Sequence, residues 1–413
     1  MKLETQLKRY ARLIIEDGIN LKKGQRLVIT IPVELAGFGR MLQETAYEAG
    51  AGFVDLDYED EVSAKISYRY ADEKRLSTVP ESYRMKLQEE QKEGAAYLHI
   101  VSSNPDLMKG SDERKIGRIR QARGKALQDL REYQMKSFGA WCVAAMPNAA
   151  WAKKVFPKIK NEEKAVEALY EAIFHTVYLD RKGDPVINWK KHQDTIVEHC
   201  RIMNEYRFKE LYFHNAIGTD LHVPLVDEHI WGGGREFATV TKQWFDPNLP
   251  TEEIFTAPHR MKTEGTVVAS RPLNLGGTLI ENFRFTFHKG KVTEFAAKKG
   301  KDALEMLLES DSGSRRLGEV ALVPFDSNIS NLNLLFYNTL FDENAACHLA
   351  LGASYPTTRT GGDAMAEKEL RACGMNTSSI HVDFMFGTED LLCDGITADN
   401  KRIPVFRRGN FVI

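Results

Sequence analysis

Six side chains between residues 253 and 383 have the donor chemistry of a cation site: Glu253, Glu319, Glu343, His348, His381 and Asp383. His381-Val382-Asp383 is the sharpest group. It opens a run to Gly387 that reads as a strand, and residues i and i+2 of a strand point to one face. An imidazole and a carboxylate would then project side by side. A mixed Glu/His/Asp set suits hard-to-borderline divalent metals. A lone histidine at a strand start is more often a structural hydrogen-bonder, and Asp383 brings the two readings level. Carboxylates are depleted from buried strands unless paired or bound to a cation, and Phe384, Met385 and Phe386 suggest burial here.

The other candidates each have a plain alternative. Glu343 and His348 are five apart, off a single helical face. They converge only from a turn or irregular segment, or else serve as a capping carboxylate and a surface histidine. Glu319 follows Gly318 and leads into Val320–Val323, placing it at a sheet end as a site residue or an exposed charge. Glu253 lies between Pro250 and Pro258 in an extended, well-held loop, with Glu252 facing the opposite way. His175, His192 and His199 fall on helices as surface or packing residues. His259 follows the Glu253 loop and could support the site from behind. Tyr355-Pro356 is a rigid turn able to hold a phenol over a site.

These residues need rigid carriers. The first 180 residues alternate strands (26–31, 52–58, 95–101, 141–146) with helices (35–49, 115–135, 162–178), the rhythm of a mostly parallel sheet covered by helices. A helix over 189–207 bridges to a second half of different character. There, strands are expected at 210–214, 220–224, 265–270, 277–287, 291–296, 320–324, 381–387, 391–397 and 402–412, with a helix near 301–309. The fold class is therefore an α/β N-terminal domain plus a β-rich α+β C-terminal domain. The polar stretch 180–185, with Gly and Pro, sets the boundary near 185, giving domains 1–185 and 186–413.

Composition removes several function classes. At 413 residues, 43% hydrophobic and 28% charged, the chain suits two soluble domains. A net charge of −2 argues against nucleic acid or an anionic membrane as partner. No apolar run approaches the roughly 20 residues of a membrane span. The N-terminal residues lack a signal-peptide layout. Five cysteines without CxxC spacing favour free thiols and a cytoplasmic location, so the sequons at Asn328 and Asn376 read as chance matches. There is no phosphate loop, no H-E-x-x-H helix and no G-x-S-x-G elbow. Gly232-Gly233-Gly234 lacks dinucleotide spacing and reads as a flexible loop.

Four segments then carry a resemblance: 250–258 around Glu253, Gly318–Val323, Leu340–His348 and His381–Met385. In this order, over essentially the whole chain, they resemble the thermophilic metallo-aminopeptidase family, the aminopeptidase T, aminopeptidase S and PepS group. The resemblance implies that Glu253, Glu319, Glu343, His348, His381 and Asp383 are metal ligands, with Asp342 a competitor for the place of Glu343. It implies two divalent ions per subunit (zinc, cobalt, manganese or magnesium), a homodimer joined through the C-terminal half, and a partly enclosed active site. The N-terminal domain is expected to shape that site or, from the polar linker near 185, to gate it. The expected reaction is removal of N-terminal residues from short peptides with a free N-terminus, by water activated at a dinuclear site. Glu319, as ligand or close neighbour, would take the water's proton and pass it to the leaving amine. Tyr355 would stabilise charge on the carbonyl oxygen. The rivals are a two-metal phosphoesterase, which expects Lys or Arg such as Arg315 and Arg316 beside the metals, and a non-catalytic metabolite-binding protein.

Overall fold

Leu27, Val28, Ile29 and Ile31 form the near-continuous apolar run of a strand buried on both faces, and they make β1 (Arg26–Pro32). A computed structural model describes residues 2–102, 104–275 and 277–413. In it, β1 pairs in parallel with β2 (Phe53–Glu59) and β3 (Ala96–Val101); β3 pairs with β4 (Trp141–Ala145), and β4 with the short β5 (Asn248–Leu249). The order β2-β1-β3-β4-β5 is parallel throughout, as the alternating pattern predicts.

Two helical expectations change. The helix expected over 115–135 is two, Glu113–Ala126 and Gln128–Met135. Arg84 donates to the freed carbonyl of Ala126 and pairs with Asp129 at 2.6 Å, which satisfies the break. The stretch 180–185 ends as a helix start. The Asp184 side chain accepts the N–H of Val186 at 2.9 Å, and Pro185 opens the helix Pro185–Tyr206. Proline is favoured at that first position, where its missing N–H costs nothing. Backbone proximity divides the chain within this helix, between Lys191 and His192, and assigns Arg235–Leu249 to the first unit.

The second unit holds two antiparallel sheets. The smaller runs β6 (Ile254–Thr256), β7 (Leu317–Leu322), β8 (His348–Gly352), β9 (His381–Met385). The larger has nine strands, among them Glu210–His214, Asp220–Pro224, Thr278–His288, Lys291–Lys299 and Leu392–Ile396. The strand expected over 402–412 is two, Arg402–Arg407 and Asn410–Phe411, separated at Arg408 and Gly409 by positive φ. Apolar residues of both sheets meet in one core. Phe285 stands 5.0 Å from Phe384 of β9, and Phe213 stands 5.1 Å from Phe386. Burying Val382 and Phe384 on this side turns the alternate residues of β9 to the opposite face.

Candidate metal centre

Register decides which side chains meet. Asp383 and Glu319 both lie directly across from Ala350 of β8, His381 across from Gly352, and His348 across from Ala321 and Met385. Directly opposed residues of an antiparallel pair share a face. One face of this sheet therefore gathers Glu319, His348, His381 and Asp383, with the small Ala321, Ala350 and Gly352 leaving room among them. Glu253 precedes β6 and follows the same alternation as Phe255, which pairs with Ala321.

The expected sheet-end position of Glu319 is corrected. β7 starts at Leu317, so Glu319 sits inside a strand buried at every residue. The β7–β8 register shifts between Leu317 and Glu319. A Cβ at Gly318 would lie 2.2 Å from the Ala353 carbonyl oxygen, so the backbones approach too closely for any other residue. Such bulges re-aim side chains beside active sites.

Two triads result, Glu253–Glu319–His348 and Glu319–His381–Asp383, each with its ligand atoms within 4.8 Å of one another. His348 Nε2 is 3.0 Å from Glu253 Oε2 and 3.4 Å from Glu319 Oε1. His381 Nε2 is 3.8 Å from Glu319 Oε2 and 3.4 Å from Asp383 Oδ1. Glu319 thus presents one oxygen to each imidazole. Glu343 lies in the turn Glu343–Ala345 and His348 opens β8, so the two converge from a turn and a strand start. It is outside both triads but close enough that Asp383 and Glu253 act on its charge. Asp342 is turned to other work: it accepts the N–H groups of Phe336 at 2.7 Å and Asn338 at 3.0 Å. Tyr355 packs edge-on against His381 with ring centroids 4.9 Å apart, and against Phe255 at 5.9 Å.

The donor set fits a cation. Backbone carbonyls take the Nδ1–H of both histidines, Ala346 at 3.2 Å for His348 and Ala353 at 2.7 Å for His381. A carbonyl only accepts, so each Nε2 is left as the ligand atom, the usual arrangement at metal-bound histidine. Glu253 Oε2 and Asp383 Oδ1 are buried without an aligned hydrogen bond. Burial pushes the carboxyls of Glu319 and Glu343 up. Burial alone would lower His348, but Glu253 and Glu319 reverse this and hold it well above its ordinary value. His381 likewise overcomes burial, chiefly through Asp383, and rises to about 10. That pairing takes Asp383 down despite its burial. Burial, then Glu319 and Asp383, raise Tyr355 far enough to keep it a phenol.

Arginine is directed elsewhere. Arg316 donates to the carbonyls of Arg260 and Lys289, and Arg315 to that of Val292. His259 accepts the N–H of Met261 at 3.2 Å and packs at Gly374. Three features were not legible beforehand. His192, expected as a surface or packing residue, has Nε2 2.8 Å from the Thr251 carbonyl oxygen. The glycines 232–234, expected as a flexible loop, pair with Phe255 through Gly232, and a Cβ at Gly233 would come within 2.4 Å of the Glu253 carbonyl oxygen. Asn344, ignored in the sequence, is fully buried between the Glu253 and Glu343 segments. A polar residue inside Ala345-Ala346-Cys347 company is a fair hint, since buried amides are hydrogen-bonded.

Comparison with known proteins agrees with the geometry. The family model of the thermophilic metalloproteases (M29) matches residues 3–411. The chain is 42% identical to aminopeptidase 2 of Geobacillus stearothermophilus over 408 residues, 99% of this chain and 98% of that protein. It is 42% identical to aminopeptidase AmpS of Bacillus subtilis over 406 residues, 98% of each. The solved structure of wild-type AmpT from Thermus thermophilus superposes with a TM-score of 0.92 at 40% identity, covering 99% of this chain and all of that one. As its four motifs implied, the chain belongs to the thermophilic metalloprotease (M29) family and is a metallo-aminopeptidase of that family.

Proposed function

We propose that this aminopeptidase removes N-terminal residues from short peptides with a free N-terminus, using two divalent ions. One would be held by Glu253, Glu319 and His348, the other by Glu319, His381 and Asp383, with Glu343 completing the set. The observation that carries this reading is the shared Glu319, whose two oxygens face different imidazoles. When bound, the ions supply an acidified water and positive charge for a substrate carbonyl oxygen.

The chain's own residues do the rest. Glu319, as ligand or close neighbour of the ions, accepts the proton of the attacking water and passes it to the departing amine; burial alone favours its protonated form, and the positive charge of bound ions would restore the carboxylate this role needs. Tyr355, held protonated and fixed by its ring contacts, donates its O–H to the carbonyl oxygen as negative charge grows there. The surplus of carboxylates favours a free α-ammonium over a blocked terminus. The orientation of Arg315 and Arg316 toward backbone carbonyls weighs against a phosphoesterase. Five free cysteines support a reducing, cytoplasmic setting. Among the described residues no helix is long and apolar enough to cross a membrane. The ion (zinc, cobalt, manganese or magnesium) and a homodimeric state belong to the same proposal.

The deciding experiment is hydrolysis of a leucine aryl-amide before chelation, after it, and after restoring single divalent metals. Activity lost to the chelator and recovered with two bound ions per chain is expected. Activity that survives thorough chelation would overturn the two-ion reading.

A further inference from the structure

Of the five triad residues, Glu253 is the one that lies outside a strand. β6 has three residues, one ladder partner and a bridge from Phe255 to Gly232, and Glu253 lies just before it. By contrast, His381 and Asp383 belong to a ladder of five consecutive pairs with β8. Something outside the sheet must hold the Glu253 segment, and the side chain placed to do so is Asn344.

Asn344 is 0% exposed. Its Oδ1 accepts the N–H of Glu252 at 2.8 Å and lies 3.5 Å from Thr251 Oγ1. Its Nδ2 donates to the Leu340 carbonyl at 3.1 Å and lies 3.5 Å from Glu343 Oε1. An N–H only donates and a carbonyl only accepts, so these partners fix which end of the amide is which. The side chain thereby ties the residue just before Glu253 to the turn that carries Glu343. His192, at the Thr251 carbonyl, and Gly233, against the Glu253 carbonyl, confine the same segment from other sides.

We infer that Asn344 is a positioning residue that fixes Glu253, and that it sets the affinity of the Glu253–Glu319–His348 triad while leaving the Glu319–His381–Asp383 triad unaffected. This rests on the two-ion reading above. Truncation to alanine leaves the buried N–H of Glu252 without its acceptor and frees Glu253 to turn. Supporting residues behind metal ligands typically contribute about 10–100-fold to affinity.

The test is calorimetric titration of zinc into metal-free protein, so it does not depend on turnover. Wild type is expected to bind two ions. Asn344→Ala is expected to bind one as before and the other about 10–100-fold more weakly. Ligand variants assign the weakened site: Asn344→Ala should weaken the remaining ion in an Asp383→Asn background and change nothing in a Glu253→Gln background. If Asn344→Ala does not fold, Asn344→Leu, which fills the same space and likewise removes the acceptor of the Glu252 N–H, is read by the same criterion of one site weakened and not both. Equal weakening of both ions, or none, in a chain whose wild type binds two overturns the role of Asn344 alone. A wild type that binds one ion overturns the two-ion reading, and this inference with it.

Discussion

Each unit of this chain buries a group of carboxylates, and the two groups are settled differently. In the first, Asp246 is fully buried and burial, reinforced by Asp17, raises it to about 8. Yet Trp189 Nε1 donates to it at 2.7 Å, and Arg235 reaches both Asp246 at 3.4 Å and Asp17 at 3.1 Å. The protein supplies its own counter-charge. In the second, Glu253, Glu319 and Asp383 pair with two imidazoles, Glu343 lies beside them, and no arginine or lysine forms an ion pair with any of the four among the described residues. A buried charge must be paired or must bind a cation. Self-neutralised carboxylates hold a fold together; carboxylates left in excess await a ligand.

The largest expected effect breaks the second group at its centre. Glu319→Gln removes a charge common to both triads, so both ions and essentially all aminopeptidase activity should be lost, while thermal unfolding of the metal-free chain stays cooperative. Metal analysis showing two ions retained would defeat the shared-carboxylate picture. Next, Tyr355→Phe should lower kcat by about 10²–10³ with metal content unchanged; an unaffected rate would remove Tyr355 from the reaction. In the first group, Arg235→Met strands the buried Asp246 and the half-buried Asp17 and should lower stability by about 3 kcal/mol, seen in denaturant unfolding, with zinc affinity intact. A loss of metal from this variant would blur the distinction between the groups. The smallest effect concerns protons. Metal-free His381, with a pKa of about 10, and His348, raised well above its ordinary value, carry protons at pH 7 that a ligand imidazole must give up. Metal uptake should therefore release protons, and affinity should climb as pH rises toward 10. Titration enthalpies measured in buffers of different ionisation heat would count them.

Much of this contrast was legible in the sequence. Apolar runs bounded by Gly and Pro gave the parallel strands, and period-two spacing put His381 beside Asp383. Local patterns could not reveal contacts made across the chain. The bulge that draws Glu319 into β7 depends on Gly318 meeting the Ala353 carbonyl, 35 residues later in sequence. The clamp of Asn344 on Glu252 spans 92 residues. Pro185 read as part of a linker because a helix start and a loop use the same residues, Asp and Pro. The sequence left His192 open as a surface or packing residue because its partner is a backbone carbonyl, which leaves no trace in residue type.

The placement of His381 and Asp383 on alternate residues of β9, beside His348 of β8, has a consequence for folding. A slip of one residue between these strands would turn His381 and Asp383 into the apolar core and bring Val382 and Phe384 out, since side chains alternate with period two. Only the native register assembles the triads. Ions that bind the native chain and not the slipped one stabilise it by mass action, so loading the site also proofreads the strand alignment on which it stands.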